Sequence, residues 1–162
     1  MIKRRIPETR IIKPVYVLLF FVMALTGFAQ MPIFKRYYIA DVPGLGWTAQ
    51  YYVTHTIHYI GAAVLLFLIA YSVVIYWGLL RRQYSLTITA GMRIVLMSGI
   101  VITGVLRVLK NLPDLLFSPG FTMFIDIAHL GLMMIYMLVA LAAVFTRAKW
   151  LKAVPAISYI GR

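Results

Sequence analysis

The chain holds three histidines, and two of them, His55 and His58, fall together at the head of an uncharged run, THTIHYIGAA at 54–63. The third, His129, stands in IDIAHLGLMM with Asp126 one helical turn before it. A neutral imidazole offers one nitrogen lone pair to a metal and one N–H to a neighbour. Histidines in apolar sequence therefore point either to ligation or to hydrogen bonds between helices. Other ligand chemistry is narrow. The chain has no cysteine, which excludes disulfides, thiol nucleophiles, iron–sulfur clusters and cysteine-ligated zinc within it. Any metal must rest on His, Met or carboxylate. A zinc ion on two histidines would need a further ligand, and Asp126 is the only carboxylate nearby.

The elements that must position these residues are membrane spans. Of 162 residues, 63% are hydrophobic and only 12% charged, and the mean hydropathy is +0.91, outside the range of ordinary soluble domains. Charge-free stretches predict four helices, at about 14–34, 51–79, 88–109 and 121–145. VPGLGW before the second and NLPDLLFSPG before the fourth read as turns. Arg93 and Arg107 bracket a short apolar run, so the third span must carry both arginines inside it or snorkelling from its ends. The expected fold is an all-α integral membrane protein, a single domain forming a four-transmembrane-helix antiparallel bundle. A basic start before an apolar run also suits a signal peptide, but the run is long and GFAQMP lacks a small-x-small cleavage site, so it is read as a retained span. No periodic repeat or phosphate-binding glycine loop is visible.

Charge bias sets the orientation. With both termini cytoplasmic, the inner side carries Lys3, Arg4, Arg5, Arg10, Lys13, Arg81, Arg82, Arg93, Arg147, Lys149, Lys152 and Arg162, twelve cations, against Lys35, Arg36, Arg107 and Lys110, four, outside. The net charge of +12 is then topology and attraction to anionic lipid, and no nucleic-acid partner is needed to explain it. Counting back from Arg81 and Arg147 puts His58 and His129 in the outer half of the membrane, offset by roughly 7 to 8 Å at about 1.5 Å per residue; His55 is offset by about 12 Å. Two imidazoles at similar depth on different helices suit an iron porphyrin, whose flat apolar ring fills a helical core while the histidines ligate its iron. Gly61 and Ala62 leave the face of His58 thin.

Each of these residues has more than one reading. The histidines could serve only as hydrogen-bonding groups between helices, and His55 could take the place of His58 as a ligand. Arg107 is either a snorkelling helix end or a partner for haem propionates. Asp126 could accept the other N–H of the imidazole, take a quinone proton, or cap and solvate the helix start. Met133, Met134 and Met137 read as packing.

The basic N-terminus, a first helix ending LTGFAQMP, a second opening HTIHYIGAAVLLFLIAY and a fourth opening IDIAHLGLMMIYMLVAL together resemble the four-helix membrane cytochrome b family. That family includes formate dehydrogenase gamma subunits and the cytochrome b subunits of nickel–iron hydrogenases and thiosulfate reductases. The resemblance implies a b-type haem subunit of a respiratory oxidoreductase complex in the prokaryotic cytoplasmic membrane. Such a subunit exchanges electrons between an iron–sulfur or multihaem partner at the outer face and quinone, alongside other membrane subunits. It implies His58 and His129 as the outer haem pair. Dihaem members carry a further histidine about four turns along the last helix, where this sequence has Ala142 and Ala143, and another near the inner end of the first helix, where it reads RIIKPVY. The resemblance therefore carries over one haem b, on the outer side; either a quinone site close to it, lined by His55, Asp126 or Tyr51, completes the path, or another subunit supplies an inner relay. The competing class is a haem-free membrane anchor or assembly subunit; a small transporter would want paired intramembrane carboxylates or broken helices that the sequence lacks.

Overall fold

A computed structural model describes residues 9–31 and 33–154. Lys3, Arg4, Arg5 and Arg162, which contribute to the charge bias, lie outside the described residues. The elements run α1 (Thr9–Ala29), a one-turn α2 (Ile33–Arg36), 3-10 turns at Ile39–Asp41 and Gly46–Ala49, α3 (Tyr51–Ile75) with a π-helical last turn (Tyr76–Leu80), β1 (Tyr84–Leu86), α4 (Ile88–Leu109), α5 (Pro119–Phe145) and β2 (Leu151–Ala153). Helices α1, α3, α4 and α5 are long and apolar enough to cross a membrane. The chain is an all-α, multi-pass membrane protein whose long helices pack in pairs. It divides into two compact units, Met1–Gly78 and Leu79–Arg162.

In both units the usual soluble pattern is inverted. The large apolar side chains Phe21, Phe67, Ile102 and Leu138 are exposed, whereas the buried positions include the small or hydroxylated Thr26, Thr54, Ala29 and Ala90. Lipid tails accept apolar surface as readily as a protein core does, so helices associate through small residues and hydrogen bonds.

The first unit is an antiparallel hairpin of α1 and α3. Thr26 meets His58, and further along Met23 and Leu19 meet Gly61, so the partners run in opposite directions. α1 ends at Ala29, five residues short of the expected boundary. The cause is the proline at 32, which disfavours α conformation in the residue before it. The connection to α3 is a chain of tight turns. Gly44 takes φ +87° within VPGLG, a conformation that glycine adopts without strain.

The second unit is an antiparallel hairpin of α4 and α5. α5 begins at Pro119, two residues before the expected start. Ser118 caps it by accepting a hydrogen bond from the N–H of Phe121 at 3.3 Å, and proline at the first helical position loses only a donor that has no partner there anyway. At the other end the N–H of Arg147 donates to the carbonyl of Val144, and that of Ala148 to Ala143, with Arg147 left-handed at φ 51°. This is a Schellman ending, and it turns the chain back toward the start of α4. There Thr87 caps α4 by accepting from the N–H of Ala90 at 3.1 Å and donates its own hydroxyl to the carbonyl of Lys149 at 2.7 Å. β1 and β2 then pair antiparallel, with Tyr84 opposite Ala153 and Leu86 opposite Leu151. Arg93 lies within α4 rather than at its edge. It is 5% exposed, its Nε donates to the carbonyl of Thr89 at 3.0 Å, and its guanidinium lies 4.0 Å over the Trp150 ring.

The close approach of α1 and α3 depends on Gly61, because a Cβ there would stand 2.5 Å from Met23 Sδ. Gly61→Val is expected to destabilise the first hairpin by about 1 to 3 kcal/mol through overpacking, and Met23→Ala in the same chain should recover much of that loss. Thermal unfolding of the parent and the two variants in one detergent checks both halves of the expectation.

Candidate functional site

Each hairpin holds one of the candidate ligand histidines on its second helix and grips it from the first. In the first unit Thr26, fully buried, places its Oγ1 3.0 Å from His58 Nδ1. The same hydroxyl donates to the carbonyl of Val22 at 2.7 Å. The next residue, Gly27, lies under the ring, and a Cβ there would come within 3.3 Å of His58 Cε1.

The second unit repeats this arrangement. Thr103 Oγ1 lies 3.0 Å from His129 Nδ1, and the hydroxyl donates to the carbonyl of Gly99 at 2.8 Å. A Cβ on Gly104 would again stand 3.3 Å from the histidine Cε1. In both hairpins a threonine followed by glycine supplies the hydrogen bond and the room for the ring. One turn away, a close-approach glycine sets the helix spacing: Gly61 against Met23 in the first, Gly99 against Leu132 in the second, where a Cβ would stand 3.0 Å from Cδ1. Gly61 thus serves the helix contact, and the glycine beneath the His58 ring is Gly27.

His55 has a different setting. Its Nδ1 is 3.3 Å from the hydroxyl of Tyr51, and its ring packs edge-on against Tyr51 and Tyr59, at centroid distances of 5.2 and 4.2 Å. Its ring neighbours therefore lie on its own helix, at i−4 and i+4, whereas His58 is gripped by α1. The structure brings the two quinone candidates Tyr51 and His55 together and adds Tyr59 to them. Asp126 belongs to the other unit.

Asp126 and Arg107 prove to be partners. Arg107 Nε lies 2.9 Å from Asp126 Oδ1, and Lys110 Nζ lies 2.7 Å from Oδ2. Two cations on one carboxylate leave this cluster with an excess positive charge one helical turn from His129. Acceptance of a histidine N–H, one of the roles open to Asp126 from sequence, has Thr103 as its candidate instead. The third role, solvating the start of α5, describes a side chain that remains 39% exposed while paired. Among the described residues, no group of three or more His, Asp or Glu side chains is placed to hold a metal ion.

Sequence reasoning missed Thr26, Thr103, Gly27, Gly104 and Lys110. The signal for the first four was present: Thr-Gly occurs in this chain only at 26–27 and 103–104, each on the helix before a histidine-bearing one. No family model, no curated protein and no solved structure matches the chain.

The ion cluster can be tested separately from any cofactor. Asp126→Asn leaves Arg107 and Lys110 side by side without a counter-charge, and should destabilise the protein by on the order of 1 kcal/mol, a value limited by partial exposure. Lys110→Met in the same background should offset part of that loss. Equal and additive effects in a double-mutant cycle of thermal unfolding would show that the pair is not coupled.

Proposed function

We propose that this chain is a single-haem membrane cytochrome b, an electron-transfer subunit of a quinone-linked respiratory complex in a prokaryotic cytoplasmic membrane, in which His58 and His129 would hold one haem b. The observation that carries the reading is the duplicated grip on two imidazoles, each held at Nδ1 by a buried or half-buried threonine and seated on a glycine. Metal-ligating histidines are oriented in this way, one ring nitrogen engaged by the protein so that the other is aimed.

The donor set fits the group. Two neutral imidazoles and no cysteine suit a b-type haem, and three histidines in total allow one bis-histidine haem and no more. Haem b bound by these residues would supply reversible one-electron transfer. The work of the chain is to fix the two rings, to surround them with apolar helix, and to set the local charge. The excess positive charge of Arg107, Lys110 and Asp126 suits the carboxylates of a porphyrin or another anionic group near His129. The resemblance of the helix openings to membrane cytochromes b supplies the rest: an iron–sulfur or multihaem partner on the outer face, other membrane subunits and lipid around the helices, and quinone as the mobile carrier. Tyr51 and His55, joined by Tyr59, form the quinone-site candidate.

A second reading rests on the same two contacts. The Thr26–His58 and Thr103–His129 bonds would equally serve purely structural histidines, so a haem-free anchor or assembly subunit would show the same two contacts.

The two readings part in one spectrum. The purified protein is expected to show b-type α and Soret bands in a dithionite-reduced minus oxidised difference spectrum, at one haem per chain by pyridine hemochrome. His58→Ala and His129→Ala should each abolish the low-spin spectrum, and His55→Ala should retain it. Protein purified from haem-replete cells without these bands would remove the cytochrome reading in favour of the anchor. Retention in His58→Ala with loss in His55→Ala would move the ligand to His55.

A further inference from the structure

We infer that Thr26 and Thr103 are positioning residues that fix both histidines in the same tautomer, with the proton on Nδ1 and the lone pair on Nε2. One proton decides the tautomer. A threonine hydroxyl has one hydrogen and two lone pairs. The Oγ1 of Thr26 stands 2.7 Å from the carbonyl oxygen of Val22, a distance typical of an O–H···O bond. Two oxygens that close need the hydrogen between them, so the Thr26 hydroxyl is committed to its own helix. At 3.0 Å from His58 Nδ1 the oxygen has only lone pairs left to offer. Nδ1 must therefore be the donor. Thr103 is committed in the same way, to the carbonyl of Gly99 at 2.8 Å, and faces His129 Nδ1 at 3.0 Å.

The main chain makes this possible. A threonine inside a helix can bond back to the carbonyl one turn earlier, and within an apolar span that satisfies a hydrogen which has no water to meet. The glycine that follows lets the imidazole come within reach. The unit is thus a carbonyl, a hydroxyl and an imidazole in series, with the proton order set from the helix outward. Its recurrence in both hairpins rules out an accident of one loop.

The functional consequence rests on the haem reading. A ring donating from Nδ1 gives up electron density through Nε2 more readily, so each threonine favours the oxidised, more positively charged iron. Removing either acceptor should raise the reduction potential. A residue that merely fills space would not do this.

The full-length protein, labelled with 15N-histidine and reconstituted in phosphatidylcholine vesicles, provides the test. His55→Ala serves as background so that only His58 and His129 report. Haem-free protein is read by the ring-nitrogen signals in solid-state NMR, and haem-bearing protein by redox titration of the α band. The expected result is Nδ1–H for both histidines in the parent and in Thr26→Ser and Thr103→Ser, with loss of the single tautomer in Thr26→Val and Thr103→Val. In haem-bearing protein the valine variants should keep haem and titrate at higher potential, the serine variants at the parental value. An Nε2–H signal from either histidine in the haem-free parent overturns the inference, as does an unmoved potential in both valine variants. Serine variants that behave like valine also overturn it, because the hydroxyl is then not the operative group. Nδ1–H signals with serine rescue in a protein that takes up no haem would instead sustain the threonine assignment and defeat the cytochrome reading.

Discussion

A hydroxyl buried between two apolar helices has one proton to place, and in each half of this protein that proton goes to the carbonyl one turn back. Water is excluded from such a span, so every polar atom that enters it has to find a partner in the chain. The threonine solves this for itself and, in doing so, presents a bare oxygen to the neighbouring helix. An imidazole is the side chain that can use that oxygen while keeping a second nitrogen for other work. Close packing is then required rather than incidental: Gly27 and Gly104 admit the ring, and Gly61 and Gly99 admit the opposing helix. A larger residue at any of these positions presses on the ring or on the opposing side chain, and so on the hydrogen bond that orders the proton.

Charge is handled differently at the two ends of the second unit. Next to the α4–α5 connection, Asp126 draws Arg107 and Lys110 together, and all three side chains stay partly exposed. At the opposite end Arg93 is buried, its Nη2 has no hydrogen-bond partner, and its guanidinium carbon lies 4.0 Å from the centre of the Trp150 ring. A guanidinium is more weakly hydrated than an ammonium and tolerates stacking in place of a full set of hydrogen bonds. The Schellman turn at Arg147 delivers Trp150 to that position, and the short β1–β2 pairing holds it there. The Arg93 contact therefore ties the segment after α5 to α4, whereas the cations around Asp126 concentrate charge near His129.

The long helices were legible because a span needs about twenty apolar residues and nothing else in the chain is that long. Their ends were legible only where the local chemistry was read correctly. NLPDLLFSPG reads as a breaker, yet its Ser118 and Pro119 are a helix start, and α1 stops at Ala29, before the proline at 32, rather than passing through it. β1 and β2 are three residues each, too short for an alternating pattern to stand out. The threonines escaped for a geometric reason. Thr26 and His58 are 32 residues apart, Thr103 and His129 are 26, and both the connections and the helical stretches between them differ in length, so no fixed period aligns the two pairs. The histidines themselves stood out from composition. What sequence could not convey is that the atom beside each of them is a hydroxyl whose proton is already spent on its own helix.

His55 and His58 show how much a small rotation about a helix axis decides. They are three residues apart, yet one is gripped by α1 and the other packs between Tyr51 and Tyr59 of its own helix. A ring held across two helices is fixed by the packing of the hairpin, so its free coordinates are few and it can present a nitrogen at a defined place. A ring held by neighbours on its own helix, one turn to either side, keeps its rotamers coupled to theirs, and the exposed faces of Tyr51 and Tyr59 travel with it. The first setting suits a ligand to a rigid planar group. The second suits a contact that must form and release, since an adaptable hydroxyl–imidazole pair can meet a partner arriving from the membrane without disturbing the hairpin beneath it. On the proposed function these are the separate requirements of a resident cofactor and a mobile carrier, and they fall on two histidines one helical turn apart.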